Sequence, residues 1–122
     1  LHTAYRRQRQ MCIRDSPNDT LAARERAKAL LLARSATADV REVRKVAADR
    51  PDDVEAQLAV ADVDMIGGQI EDAFSRLLDY LADGHTDQVE PVRERLLEYF
   101  MIPEATDERV KRARRRLATL MY

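Results

Sequence analysis

The chain has 122 residues, of which 35% are charged, with 3 glycines, 4 prolines and no tryptophan. That length supports one small domain with an aliphatic core, and the wealth of Ala, Leu, Arg and Glu favours helix, where unbranched side chains lose little rotamer freedom. A formal charge of −1 speaks against a general nucleic-acid binder, and no apolar run approaches the ~20 residues needed to span a bilayer.

The chain opens LHTAYRRQRQMCIRDS, with four arginines and the only cysteine, Cys12. Residues 6–15 resemble, codon by codon and in one frame, a translated transposase sequencing adapter. Leu1 and His2 fit the flow-cell sequence that precedes such an adapter, and residues 3–5 fit a sample index. Residues 1–16 are therefore expected to be non-native, disordered or unpacked. The native chain would begin near Pro17, and residues 17–122 would form the helical C-terminal domain of a longer protein. Setting aside four arginines and one aspartate leaves 17 basic against 21 acidic residues, a balance of −4. Without Cys12 the chain has no cysteine, which fits a reducing, cytoplasmic compartment. The opening also lacks the apolar stretch of a secretory signal.

Leu21, Ala27, Leu30, Leu31 and Ala33 fit the apolar face of a first helix capped by Asp19 or Thr20. Val40, Val43 and Ala47 mark a second, which Pro51 ends. Pro51, Asp52 and Asp53 then open a third helix with acid near its positive end. Its stripe is Leu58, Ala61 and Met65, with Val54 and Val60 beside it, and Gly67 or Gly68 supplies a left-handed cap. Ile70, Ala73, Phe74, Leu77, Leu78 and Leu81 form the wide face of a fourth helix, closed by Gly84. Val92, Leu96, Tyr99 and Phe100 belong to a fifth, with Pro91 tolerated in its first turn and Pro103 beyond its end. Thr106 or Asp107 caps a sixth, whose stripe is Val110, Ala113, Leu117 and Leu120 with Met121. No segment alternates with a period of two. The expected fold is all-α: about six helices in tandem hairpins.

The stretch Pro51–Gly84 has the 34-residue length of a tetratricopeptide repeat. It resembles that motif at Val60 and Ala61, Gly68, Ile70, Ala73, Leu77 and Leu81. It departs from it at Gln57, Asp64 and Tyr80, where tryptophan, tyrosine and alanine are usual. From about Leu21 to Tyr122 the order of a repeat, then VRERLLEYF, then a basic DERVKRARRRLATLMY is similar to the C-terminal helical domain of the chaperedoxins, thioredoxin-like co-chaperones. The resemblance implies an upstream thioredoxin domain, holding of unfolded clients and delivery to a chaperonin. The alternative is a generic tetratricopeptide-like scaffold with an unrelated protein partner.

No catalytic constellation is present, so the chain is expected to be a non-enzyme without cofactor or metal. His85 reads as a solvated loop residue, and Asp62 and Asp64, on different sides of one helix, as solvated charge. Two surfaces are candidates for binding proteins. One is an inner groove lined by Glu55, Leu58, Asp62, Met65 and Ile66, too acidic and apolar to clamp a peptide carboxylate. The other is the basic run that includes Arg109, Arg112, Arg115 and Arg116. That run reads first as a solvated face and second as a docking helix for an acidic partner. Nucleic acid and membrane are not expected partners.

Overall fold

A computed structural model of the protein describes residues 17–121, with side chains from Asp19 onward. The stretch 1–16, expected to be non-native and unpacked, lies outside the described residues. Six α-helices follow in order: α1 (Pro17–Arg34), α2 (Val40–Asp49), α3 (Val54–Ile66), α4 (Ile70–Ala82), α5 (Val89–Phe100) and α6 (Glu108–Met121). A 3-10 turn at Thr86–Gln88 precedes α5, and no described residue is in a strand. The expected all-helical, tetratricopeptide-like array is the fold observed.

Carboxylates start three of the helices. Asp39 accepts the backbone N–H groups of Arg41 and Glu42, and Asp53 those of Glu55 and Ala56. Asp107 accepts that of Arg109 at 2.8 Å. Each fills an orphan donor and meets the positive end of a helix dipole. Asp53 and Asp107 are the caps that the sequence pattern predicts. α1 differs: it starts at Pro17, so Asp19 lies in its first turn. Proline suits that first position because its missing N–H would have no intrahelical partner there. At the other end of α3, Gly68 takes φ 83°. This left-handed residue turns the Gln69 N–H back onto the Asp64 carbonyl at 2.8 Å and its own N–H onto Met65 at 3.1 Å. Gly84, at φ 104°, also turns left-handed after α4, its N–H reaching the Leu81 carbonyl at 3.2 Å.

The short Gly67–Gly68 link folds α3 and α4 into an antiparallel hairpin, and the other helices lean on it. α2 lies along α3 on one flank, α1 and α5 cover its other flank, and α6 packs on α4. α3 consequently buries nine of its 13 residues. The core gathers Leu58, Ala61 and Met65 of α3 with Phe74, Leu77 and Leu78 of α4. Val92, Leu96, Tyr99 and Phe100 of α5 and Val110, Ala113 and Leu117 of α6 complete it. Phe74 and Phe100 meet edge to face, with centroids 5.2 Å apart. A smaller cluster of Ala47, Ala56 and Val60 joins α2 to α3.

α1 departs from its expected face. Ala27 and Leu31, one turn apart, point inward, whereas Leu21 and Leu30 are 51% and 54% exposed. Only one line of a helix can face α3, and the step of ~100° per residue carries Leu30 off the line that Leu31 occupies. Val40, at the first position of α2, is also half exposed.

Leu77 is fully buried at the centre of the hairpin. Leu77→Ala should cost about 3 kcal/mol, read as a lower urea midpoint at unchanged slope by far-ultraviolet circular dichroism. The same truncation at the exposed Leu30 should change stability by about 0.5 kcal/mol or less.

Candidate functional site

α3 carries two carboxylates that its neighbours enclose. Asp62 and Asp64 stand two residues apart, ~200° around the helix, and so reach opposite flanks. The sequence reading of them as solvated charge is corrected by the structure: they are 4% and 1% exposed. Each flank is closed by a different neighbour, a fact that spacing along one helix does not contain. Asp62 receives Arg34 of α1 through Nε and Nη2, both at 3.1 Å, and Arg95 of α5 through Nη1 at 2.9 Å. The Tyr99 hydroxyl donates a fourth hydrogen bond. Arg34 continues to Glu98, with Nη1 at 3.0 Å. A buried carboxylate is tolerable only with such partners. Burial, reinforced by the adjacent Asp62 charge, pushes the Tyr99 hydroxyl well above its ordinary range. Burial acts against the charge on Arg34, but hydrogen bonds to Glu98 and Asp62 outweigh it and hold the guanidinium firmly protonated.

On the opposite flank, Arg44 of α2 donates to Asp64 Oδ1 at 2.8 Å. Arg76 of α4 approaches Asp64 Oδ2 with Nε at 3.6 Å. That separation is too long for a hydrogen bond, and neither of these two buried atoms makes one.

The other departures from the repeat motif act on the same flank. The Gln57 carboxamide donates to the Ala47 carbonyl at 3.1 Å, satisfying the last turn of α2. The Tyr80 hydroxyl donates to the Asp52 carbonyl at 2.8 Å. His85 is not the solvated, partnerless residue expected from the sequence. Its ring stacks on Tyr80 with centroids 3.9 Å apart. Nδ1 lies 2.8 Å from the Tyr80 carbonyl and Nε2 2.9 Å from the Asp52 carboxylate. Both nitrogens donate in the imidazolium, so the Tyr80 carbonyl first, and Asp52 second, raise its pKa above the usual value. The signal for this contact was the tyrosine at an alanine position, which marks a ring with something to cover.

The residues expected to line a groove divide. Leu58 and Met65 are buried in the core, and Asp62 is the enclosed hub just described. Glu55 and Ile66 are exposed. Ile66, at 46%, borders an apolar notch of about 270 Å³ with Ala38, Val40 and Val63. The α6 arginines are mostly engaged. Arg112 meets Glu71 at 2.8 Å and Arg116 meets Asp79 at 2.7 Å, both on α4. Arg109 grips Asp107 through Nε at 3.0 Å and Nη2 at 2.6 Å. That grip holds the Asp107 carboxyl down at about 2. Arg114 lies over the Phe100 ring at 5.1 Å. Arg115 has no side-chain partner among the described residues. The sequence reading did not single out Arg34, Arg44, Arg76 or Arg95, whose carboxylate partners lie 12 to 64 positions away in the chain. Among the described residues no group of three or more His, Cys, Asp or Glu is placed to hold a metal ion. No helix there is long and apolar enough to cross a membrane.

Asp62→Ala removes the anion that Arg34 and Arg95 share, leaving Arg34 only Glu98, and should cost about 3 kcal/mol in denaturant unfolding. For His85 the folded-state pKa lies above the unfolded value of ~6.5. Its stabilising contribution is therefore complete below about pH 6.5 and is lost as pH rises through the folded-state value. The stability difference between the protein and His85→Phe should shrink across that rise, and the His85 ring protons should titrate above the unfolded value by NMR.

The chain matches the tetratricopeptide repeat family over residues 33–122. It is 33% identical over 87 residues to an uncharacterized protein of Mycobacterium tuberculosis, and equally to one of Mycobacterium bovis. The matched region is 71% of this chain but 29% of those proteins, so the chain spans under a third of the length of these relatives. No solved structure matches it. With the match covering most of its length, and the hairpin, turn glycine and buried small residues in place, the chain belongs to the tetratricopeptide repeat family.

Proposed function

We propose that the chain is the protein-interaction module of a cytoplasmic thioredoxin-like co-chaperone, holding unfolded clients or docking to a chaperonin. The observation that carries this reading is the tetratricopeptide array that ends in a basic amphipathic helix. Tetratricopeptide arrays bind proteins and are as a rule not catalytic. Apolar surface for an unfolded segment is at hand in the Ile66 notch and in the exposed Leu30 and Leu32. Leu58, Asp62 and Met65 contribute from beneath, by fixing the helix that presents Ile66. Arg115, with Arg112 and Arg116 at their exposed α4 pairs, forms the face for an acidic partner. Exposed pairs of that kind are weak, about 1 kcal/mol or less each, and exchange readily for a partner's carboxylates.

A generic scaffold with an unrelated protein partner is the second reading. It is favoured by the filled inner groove, where Leu58, Asp62 and Met65 leave no open channel.

The test is light scattering of a heat-stressed client with the chain added, together with co-elution with chaperonin on gel filtration. Suppression that weakens several-fold in Ile66→Asp is the expected result. A chain that neither suppresses aggregation nor co-elutes would leave the generic scaffold as the better account.

A further inference from the structure

A cleft of about 930 Å³ opens between α2 and α4, with Gln57 and Asp64 of α3 at its floor. Its lining is unevenly charged. Five aspartates, at 52, 64, 72, 79 and 83, face two arginines, Arg44 and Arg76, and His85. Asp52 is engaged by His85 and Asp79 by Arg116. Asp72 and Asp83 are exposed and make no side-chain hydrogen bond or ion pair among the described residues, although the Asp83 charge acts on His85.

The floor supplies an independent observation. Asp64 is 1% exposed, yet its Oδ2 makes no hydrogen bond. Arg76 Nε, 3.6 Å away, makes none either. Buried polar atoms left this way are costly. An acceptor beside a donor is satisfied by a group that presents one of each on the same side, as a residue of an extended chain does with its own N–H and C=O. The guanidiniums that roof this floor are the movable parts, since the Arg44 and Arg76 side chains are 42% and 36% exposed.

We infer that this cleft docks an extended basic segment of a partner protein. Lysine or arginine side chains of the segment pair with Asp72 and Asp83, and one of its residues bridges the floor, its N–H donating to Asp64 Oδ2 and its C=O accepting from Arg76 Nε. The surplus of carboxylates repels nucleic acid and acidic segments. The inference rests on the reading of the chain as a protein-interaction module and names one of its surfaces and the partner's chemistry.

Fluorescence anisotropy of a labelled alternating lysine–glycine peptide, titrated with the full chain at low salt, tests it. The double variant Asp72→Asn, Asp83→Asn should weaken binding about tenfold, whereas Glu25→Gln with Glu94→Gln, an equal change of charge elsewhere, should do so by about twofold or less. All four side chains are exposed, and a thermal melt of each variant confirms folding. A peptoid with the same cationic side chains but no main-chain N–H should bind several-fold more weakly than the peptide. Equal losses in both double variants would overturn the cleft in favour of diffuse attraction. Equal affinity for peptide and peptoid would overturn the floor contact. Concentration-dependent self-association abolished by Asp72→Asn and by Arg115→Glu would also overturn it, by making a second copy the occupant. Client holding by the unsubstituted chain together with no binding of the peptide would sink this inference and leave the interaction-module reading standing.

Discussion

A carboxylate enclosed between helices cannot go unpaired, and α3 carries two such, Asp62 and Asp64. Much of the architecture answers that constraint. Asp62 draws Arg34 and Arg95 inward from α1 and α5, and Asp64 draws Arg44 and Arg76 from α2 and α4. The four helices that surround α3 each contribute an arginine to it. Apolar burial holds the helices together, but it does so without direction. The ion pairs add direction, because a guanidinium fork meets a carboxylate in few orientations. They also make the arrangement specific: a slipped helix would leave a buried anion unmatched.

The two flanks are not equivalent. On the Asp62 side every carboxylate oxygen is used, and Tyr99 seals the hub with its ring in the apolar core and its hydroxyl on the acid. On the Asp64 side one oxygen is left over, and the cleft above it is wide and acidic. One side of the array is thus finished as structure, and the other is incomplete. Charge is also parted between the outer helices: α6 is rich in arginine, and α4 answers it with Glu71 and Asp79.

The helices and most of the core were legible because they are local. Asp53 and Asp107 cap where their positions predict, Gly68 and Gly84 turn left-handed, and the inward faces of α4, α5 and α6 follow the helical period. α1 was less legible, since its leucines occupy several faces and only the neighbouring helix decides which of them is buried. The polar hub was not legible at all. An aspartate on a helix looks the same whether water or an arginine from another helix meets it. The departures from the repeat motif at Gln57, Asp64 and Tyr80 were the available hint. Each replaces an expected side chain with a hydrogen-bonding group or an extra ring, and each proves to hold a tie across the α2–α3–α4 flank.

Asp52, at the start of the 34-residue repeat, and His85, just past its end, lie 33 positions apart and touch. Together with the Tyr80 hydroxyl on the Asp52 carbonyl, this contact closes the central hairpin into a ring of chain. The hairpin thereby has its own clasp, and α1 and α6 lie outside it. Local opening then has a direction. The terminal helices can fray and re-form while the clasped hairpin keeps its shape, a template against which they find their places again.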